Sequence, residues 1–211
     1  MKTLPGIEYK KLKSNPTVDS DNSMFTIPYY KNNEYLSDLD NFVNFIKGVE
    51  SIVRTSDRYK KYIKYLKEVV GLTYCQVLSN IREEMATIEM HHGPILTLFD
   101  ICTIVTDHLL YKDQYINTFI VADIVLDQHY LNNIQVVMLS ATVHQEVHDN
   151  NVFINIKQAF GNLESFLSTF KYGVQDDQIK KIRDYIEISK KFDSNDNNIL
   201  SLESSVNKWE Q

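Results

Sequence analysis

Ile88-Glu89-Met90-His91-His92-Gly93-Pro94 is answered later in the chain by His144-Gln145-Glu146-Val147-His148, and these two stretches hold four of the six histidines. The first reads as a short strand ended by Gly-Pro, the second as a helix. Histidines at i and i+4 lie on one helix face about a turn apart, so His144 and His148 can reach one ion. Adjacent histidines on a strand point to opposite sides. His91 can therefore join the helical pair as a third ligand while His92 faces away from the ion and stays free for chemistry. The expected centre is one divalent ion (Zn, Mg, Mn or Ni) held by His91, His144 and His148.

Working outward, Ile134 to Leu139 is a β-rich run, and Ser140 stands where it can cap the helix carrying His144 and His148. Leu72 to Leu78 and Ala86 to His91 read as strands. Between the paired strands, the stretches ending at Leu110 and Tyr130 read as two helices, each with an apolar set facing a core. Upstream, Leu39, Phe42, Val43, Phe45, Ile46, Val49, Ile52 and Val53 recur at helical spacing, and a further helix runs from about Asp57 to Val70. Two more are expected at about Ile156 to Phe170 and Asp176 to Phe192. The division is 1–36 as an N-terminal arm, 37–71 as a helical hairpin, 72–192 as the metal-centred domain with a helical insertion at about 95–131 and C-terminal helices, and the Asn/Ser/Asp-rich 193–211 as a mobile tail. The fold class is α+β and mostly helical.

The chain has 211 residues, long enough to bury a real core, and 43% hydrophobic with 24% charged residues is the balance of an ordinary globular protein. No apolar run approaches the roughly 20 residues of a membrane span, and the N-terminus lacks a signal peptide's apolar segment. Cys75 and Cys102 lie far apart in apolar settings and read as buried free thiols, which points to the reducing cytoplasm. A net charge of -6 argues against a polyanionic partner, so the local distribution decides. Between Ile88 and Asn150, the acids Glu89, Asp100, Asp107, Asp113, Asp123, Asp127, Glu146 and Asp149 face the lone base Lys112. Arg54, Arg58, Lys60, Lys61, Lys64 and Lys67 instead form a basic stretch interrupted only by Asp57, with Tyr59, Tyr62 and Tyr65 interleaved for base stacking.

A strand ending in His-His, a second strand, and a helix with H-x3-H resemble the ββα-metal, or HNH, endonucleases, and Glu89-Met90-His91-His92 is similar to the colicin-type branch. The resemblance covers roughly Ala86 to Asn150. It implies a small ββα-metal core with His91, His144 and His148 as ligands, His92 as general base and Glu89 as an orienting or phosphate-site carboxylate. Gln135 stands where the family usually has an asparagine and would hold the base in its tautomer; Asn132 and Asn133 lie slightly upstream. The interval between the histidine pairs is longer than the family's, as two inserted helices would make it.

The function so implied is metal-dependent hydrolysis of nucleic-acid phosphodiester bonds, with DNA favoured over RNA. A neutral-pKa imidazole would activate water while the ion stabilised the charge developing on phosphate. The six bases from Arg54 to Lys67 would carry the phosphate contacts. The alternative is a non-catalytic protein that keeps the three-histidine metal site as a structural staple and binds a protein partner through its acidic, Tyr-rich surface. A third reading is a toxin-like nuclease whose acidic face meets an inhibitor or host protein. Burial of His92 would defeat the enzyme readings.

Overall fold

A computed structural model describes residues 30–209; most of the expected N-terminal arm lies outside the described residues. A short helix α1 (Asn33–Leu36) leads into α2 (Leu39–Thr55), and the Asp38 carboxylate at the start of α2 accepts the Asn41 amide at 2.9 Å. The apolar spacing noted above buries Phe45, Ile46, Val49 and Val53. Ser56 ends this helix in extended conformation, and its hydroxyl accepts the Tyr59 amide at 3.1 Å. One residue thus stops α2 and caps α3 (Asp57–Glu68), which buries Tyr59, Tyr62 and Leu66.

The sheet is a two-stranded antiparallel pair, β1 (Ile88–His92) and β2 (Val136–Ser140), with His91 opposite Val137 and His92 opposite Val136. All five residues of β2 are buried, so both of its faces are covered, and its backbone is also paired on both edges. β1 lies on one side. On the other, the Gln76 backbone pairs with Met138 at 2.8 Å and Val136 bridges to Phe160. The expected strand Leu72 to Leu78 is reduced to this single contact and an isolated bridge between Tyr74 and Arg82. The Gln76 side chain strengthens the join, its carbonyl accepting the Met138 amide at 2.7 Å.

Between the strands run α4 (Leu98–Tyr111), opened by a Thr97/Asp100 capping box, and α5 (Thr118–Tyr130), capped by Asn117. α2 packs on both, so the N-terminal helices and the segment between the strands share one helical layer. α6 (Ala141–His148) follows β2 without a linker; Ser140 occupies the cap position but makes no side-chain bond there.

The helix expected over 156–170 is broken. A 3-10 turn at Ile156–Gln158 is followed by extended chain that pairs Phe160 with β2, and α7 (Leu163–Thr169) begins only after Asn162 caps it. Strand pairing wins over local helical propensity here. A second 3-10 turn, Lys171–Gly173, presses on α4 so closely that a Cβ at Gly173 would lie 1.9 Å from the Ile104 carbonyl oxygen. α8 (Asp176–Lys190) begins where expected and ends two residues before the expected Phe192. The tail expected to be mobile from 193 is instead largely α9 (Asn197–Trp209), with Ile199, Leu202 and Val206 buried against its neighbours. Three apolar residues at helical spacing suffice, although Asn and Ser dominate the composition around them.

Candidate metal centre

Alternation along β1 sorts its side chains. Ile88, Met90 and His92 are buried on one face, while Glu89 and His91 project from the other, where α6 lies. Because α6 starts at the end of β2, antiparallel pairing brings its histidines back beside β1. His91, His144 and His148 each offer a ring nitrogen within 4.8 Å of the others. Their ring centroids are 4.7 to 5.3 Å apart.

Glu89 supplies the outer contact: His144 Nδ1 lies 2.6 Å from its carboxylate. An anionic carboxylate accepts, so Nδ1 carries the proton and His144 Nε2 presents its lone pair inward. His148 Nε2 sits 3.1 Å from that atom, so the two helical histidines bring their ring nitrogens to one place. Gly93 makes room for the third ring, since a Cβ there would lie 3.2 Å from His91 Nε2, and its φ of +145° is one that L side chains rarely adopt. Burial, reinforced by the neighbouring His144 and His148, lowers the His91 pKa to about 4. His91 is therefore neutral at physiological pH, the form that binds a cation.

His92 has the opposite fate. It is 6% exposed, and its Nε2 lies 3.0 Å from Nε2 of His129, a residue with no exposed surface. His129 Nδ1 donates to the Val125 carbonyl at 2.8 Å, which leaves its Nε2 to accept from His92. Tyr59 stacks on His92 at 5.9 Å, and Tyr59 and Tyr62 meet His129 edge-on. This pair joins β1 to α5 and α3 through the core. Burial drives both imidazoles to lower pKa, His129 to about 4 and His92 well below its ordinary value. The local sequence concealed this pairing, because the partner lies on another helix and nothing near His129 marks it. Gln135 does not hold His92: its backbone carbonyl accepts the Gly93 amide at 3.2 Å, and its side-chain oxygen is buried without a hydrogen bond.

The basic stretch is likewise committed. Arg58 reaches across to Asp123 and Asp127 of α5 and lies over the Tyr130 ring. Arg54 pairs with Glu50, Lys60 with Asp57, Lys64 with Glu68 and Lys67 with Glu83, at 3.5 to 3.7 Å. Only Lys61 of the six lacks an ion pair among the described residues. Of the tyrosines expected to stack on bases, Tyr62 is fully buried, Tyr59 nearly so, and Tyr65 is half-buried against the core.

Beside the histidines opens a cleft of about 400 Å³. His91 and His148 line it, with Pro94, Phe153, Lys181 and Tyr185 among its walls.

Residues 8–209 match the bacteriophage G278-like virion protein family, and the chain belongs to that family. No curated protein and no solved structure matches it. This overturns the HNH resemblance: a family of virion proteins accounts for nearly the whole chain, whereas the endonuclease likeness rested on two short histidine motifs. The expected endonuclease activity and its nucleic-acid substrate fall with it. The buried His92 and the acid-paired helix α3 agree with that correction on physical grounds. What the two motifs do share with the ββα arrangement is local geometry, which any strand pair followed directly by a helix can adopt. Among the described residues no helix is long and apolar enough to cross a membrane.

Proposed function

We propose that this chain is a non-enzymatic component of the virion that works by binding other proteins, with a divalent ion held by His91, His144 and His148 as a staple between β1 and α6. The convergence of three ring nitrogens within 4.8 Å, from two elements, carries the reading. Imidazole donors suit zinc, copper or nickel rather than magnesium, which prefers oxygen. The ion would do for α6 what the short helix lacks locally, since α6 has only eight residues, one buried side chain and no side-chain cap. Partner contacts fall to the acidic, Tyr-rich surface, where Tyr111, Tyr115 and Tyr172 are exposed near Asp113. Tyr111 and Tyr172 stack at 4.6 Å, a rigid aromatic platform suited to an interface. Free, buried Cys75 and Cys102 suit folding in a reducing cytoplasm.

The test is metal content and melting temperature of the purified protein with and without Zn²⁺. At a hundredfold excess over Kd, zinc should stabilise the wild type by about 2.7 kcal/mol, or about 5–10 °C. His144→Ala and His148→Ala should abolish the shift. Glu89→Gln should weaken zinc affinity by about 10- to 100-fold, as loss of an outer-shell carboxylate does, and shrink the shift at the same zinc concentration without abolishing it. A wild type that binds no zinc, nickel or copper and shows no shift would refute the staple.

A further inference from the structure

Resting on that metal reading, we infer a carboxylate-binding site: the ion's open position faces the cleft beside α6 and takes an Asp or Glu side chain from another virion protein. Three neutral imidazoles leave a dication uncompensated and one position short of tetrahedral closure. Among the described residues, no aspartate, glutamate or cysteine joins the three histidines in the cluster. Glu89 is already engaged with His144 on the outer side.

The cleft has the character such a donor requires. His91 and His148 line it, with Pro94, Ile95, Val147, Val152, Phe153 and Tyr185 as the apolar part of the wall and Thr97 and Asn150 as its uncharged polar part. In a chain of net charge -6, no carboxylate among the described residues lines this cleft, and its single charged side chain is Lys181. Lys181 is held at 2.8 Å by Asp100, which fixes the ammonium at the wall. The apolar part of the wall lowers the effective dielectric, strengthening the attraction between an entering anion and the bound dication. Tyr185 is anchored by donating to the Ile154 carbonyl at 2.8 Å and stacks on Phe153 at 4.9 Å, and Phe192 stacks on Phe153 at 5.5 Å. Phe153 and Phe192 are 36% and 68% exposed, so an apolar aromatic rim borders a site that selects negative charge. The matching partner segment is an acidic residue flanked by apolar ones.

Cobalt(II) reports its coordination in the visible spectrum and tests this directly. The full chain loaded with one equivalent of Co²⁺ would be titrated with acetate and, separately, with acetyl-Leu-Glu-Leu-amide. Both should change the spectrum saturably, the peptide at lower concentration. Lys181→Ala should weaken both several-fold while leaving Co²⁺ uptake intact. Phe153→Ala should weaken the peptide and spare acetate. Uptake of Co²⁺ with a spectrum insensitive to both ligands would overturn the carboxylate site and leave the metal staple standing. Failure to take up Co²⁺ at all would overturn the metal reading and this inference together. A Co²⁺-dependent dimer without added ligand in sedimentation would assign the donor to a second copy and overturn the choice of a different protein.

Discussion

His91 and His92 are neighbours with opposite environments, and one strand explains both. A pleated strand turns consecutive side chains to opposite faces, so the same backbone delivers His91 to α6 and buries His92 against His129 and Tyr59. The chemistry of each follows from its neighbours. His91 meets two other imidazoles and a cleft; His92 meets a hydrogen-bond acceptor and aromatic rings. His92→Ala should therefore act on stability, leaving a cavity and an unsatisfied His129 nitrogen, at a cost of about 2–4 kcal/mol. Zinc uptake should survive in the folded fraction. Urea denaturation read alongside zinc titration checks this; an unchanged midpoint would show that the buried pair contributes nothing.

At the scale of elements, two helices show how composition misleads. α3 looks like a phosphate-binding surface by charge, yet its arginine at 58 is clasped by two aspartates of α5, and Tyr59 and Tyr62 face the core. α9 looks like a mobile tail by its asparagines and serines, yet Ser201 and Ser205 both donate to Glu164 of α7 while Leu202 is buried between them. Polar residues here fasten the helix instead of solvating it. Leu202→Ala should lower unfolding free energy by about 2–4 kcal/mol with the denaturant slope unchanged. A mobile tail would leave the unfolding curve where it was.

For the molecule as a whole, buried imidazoles make acid the expected route to unfolding. The pKa values of His91 and His129 fall to about 4 in the fold, and that of His92 falls well below its ordinary value, against about 6.5 in an unfolded chain. Between pH 6.5 and 4 the unfolded chain thus binds more protons. Stability is fully present above 6.5 and is lost on acidification by roughly 1.4 kcal/mol per pH unit for each such group. Burial raises the Asp107 carboxyl to about 6, which works in the opposite sense below that pH but offsets only one of the three. Chemical denaturation at pH 7, 6 and 5 in EDTA should show stability falling, and His129→Gln should flatten the slope. Constant stability across that range would contradict the buried neutral pair.

The amino-acid sequence by itself determined the helices α2, α3 and α8, because their apolar spacing and capping residues are local. It likewise determined that His144 and His148 share a helix face and that His91 and His92 diverge, since both follow from the periods of 3.6 and 2. Only the tertiary structure decided the rest. Antiparallel pairing of β1 with β2 brings His91 to α6, and His129, at 37 residues' separation, claims His92. Asp123 and Asp127, 65 and 69 residues from Arg58, neutralise the basic face, and Phe160 breaks a helix to complete a strand edge. Each of these depends on contacts between distant segments, whose worth lies in burial and pairing that no local spacing encodes.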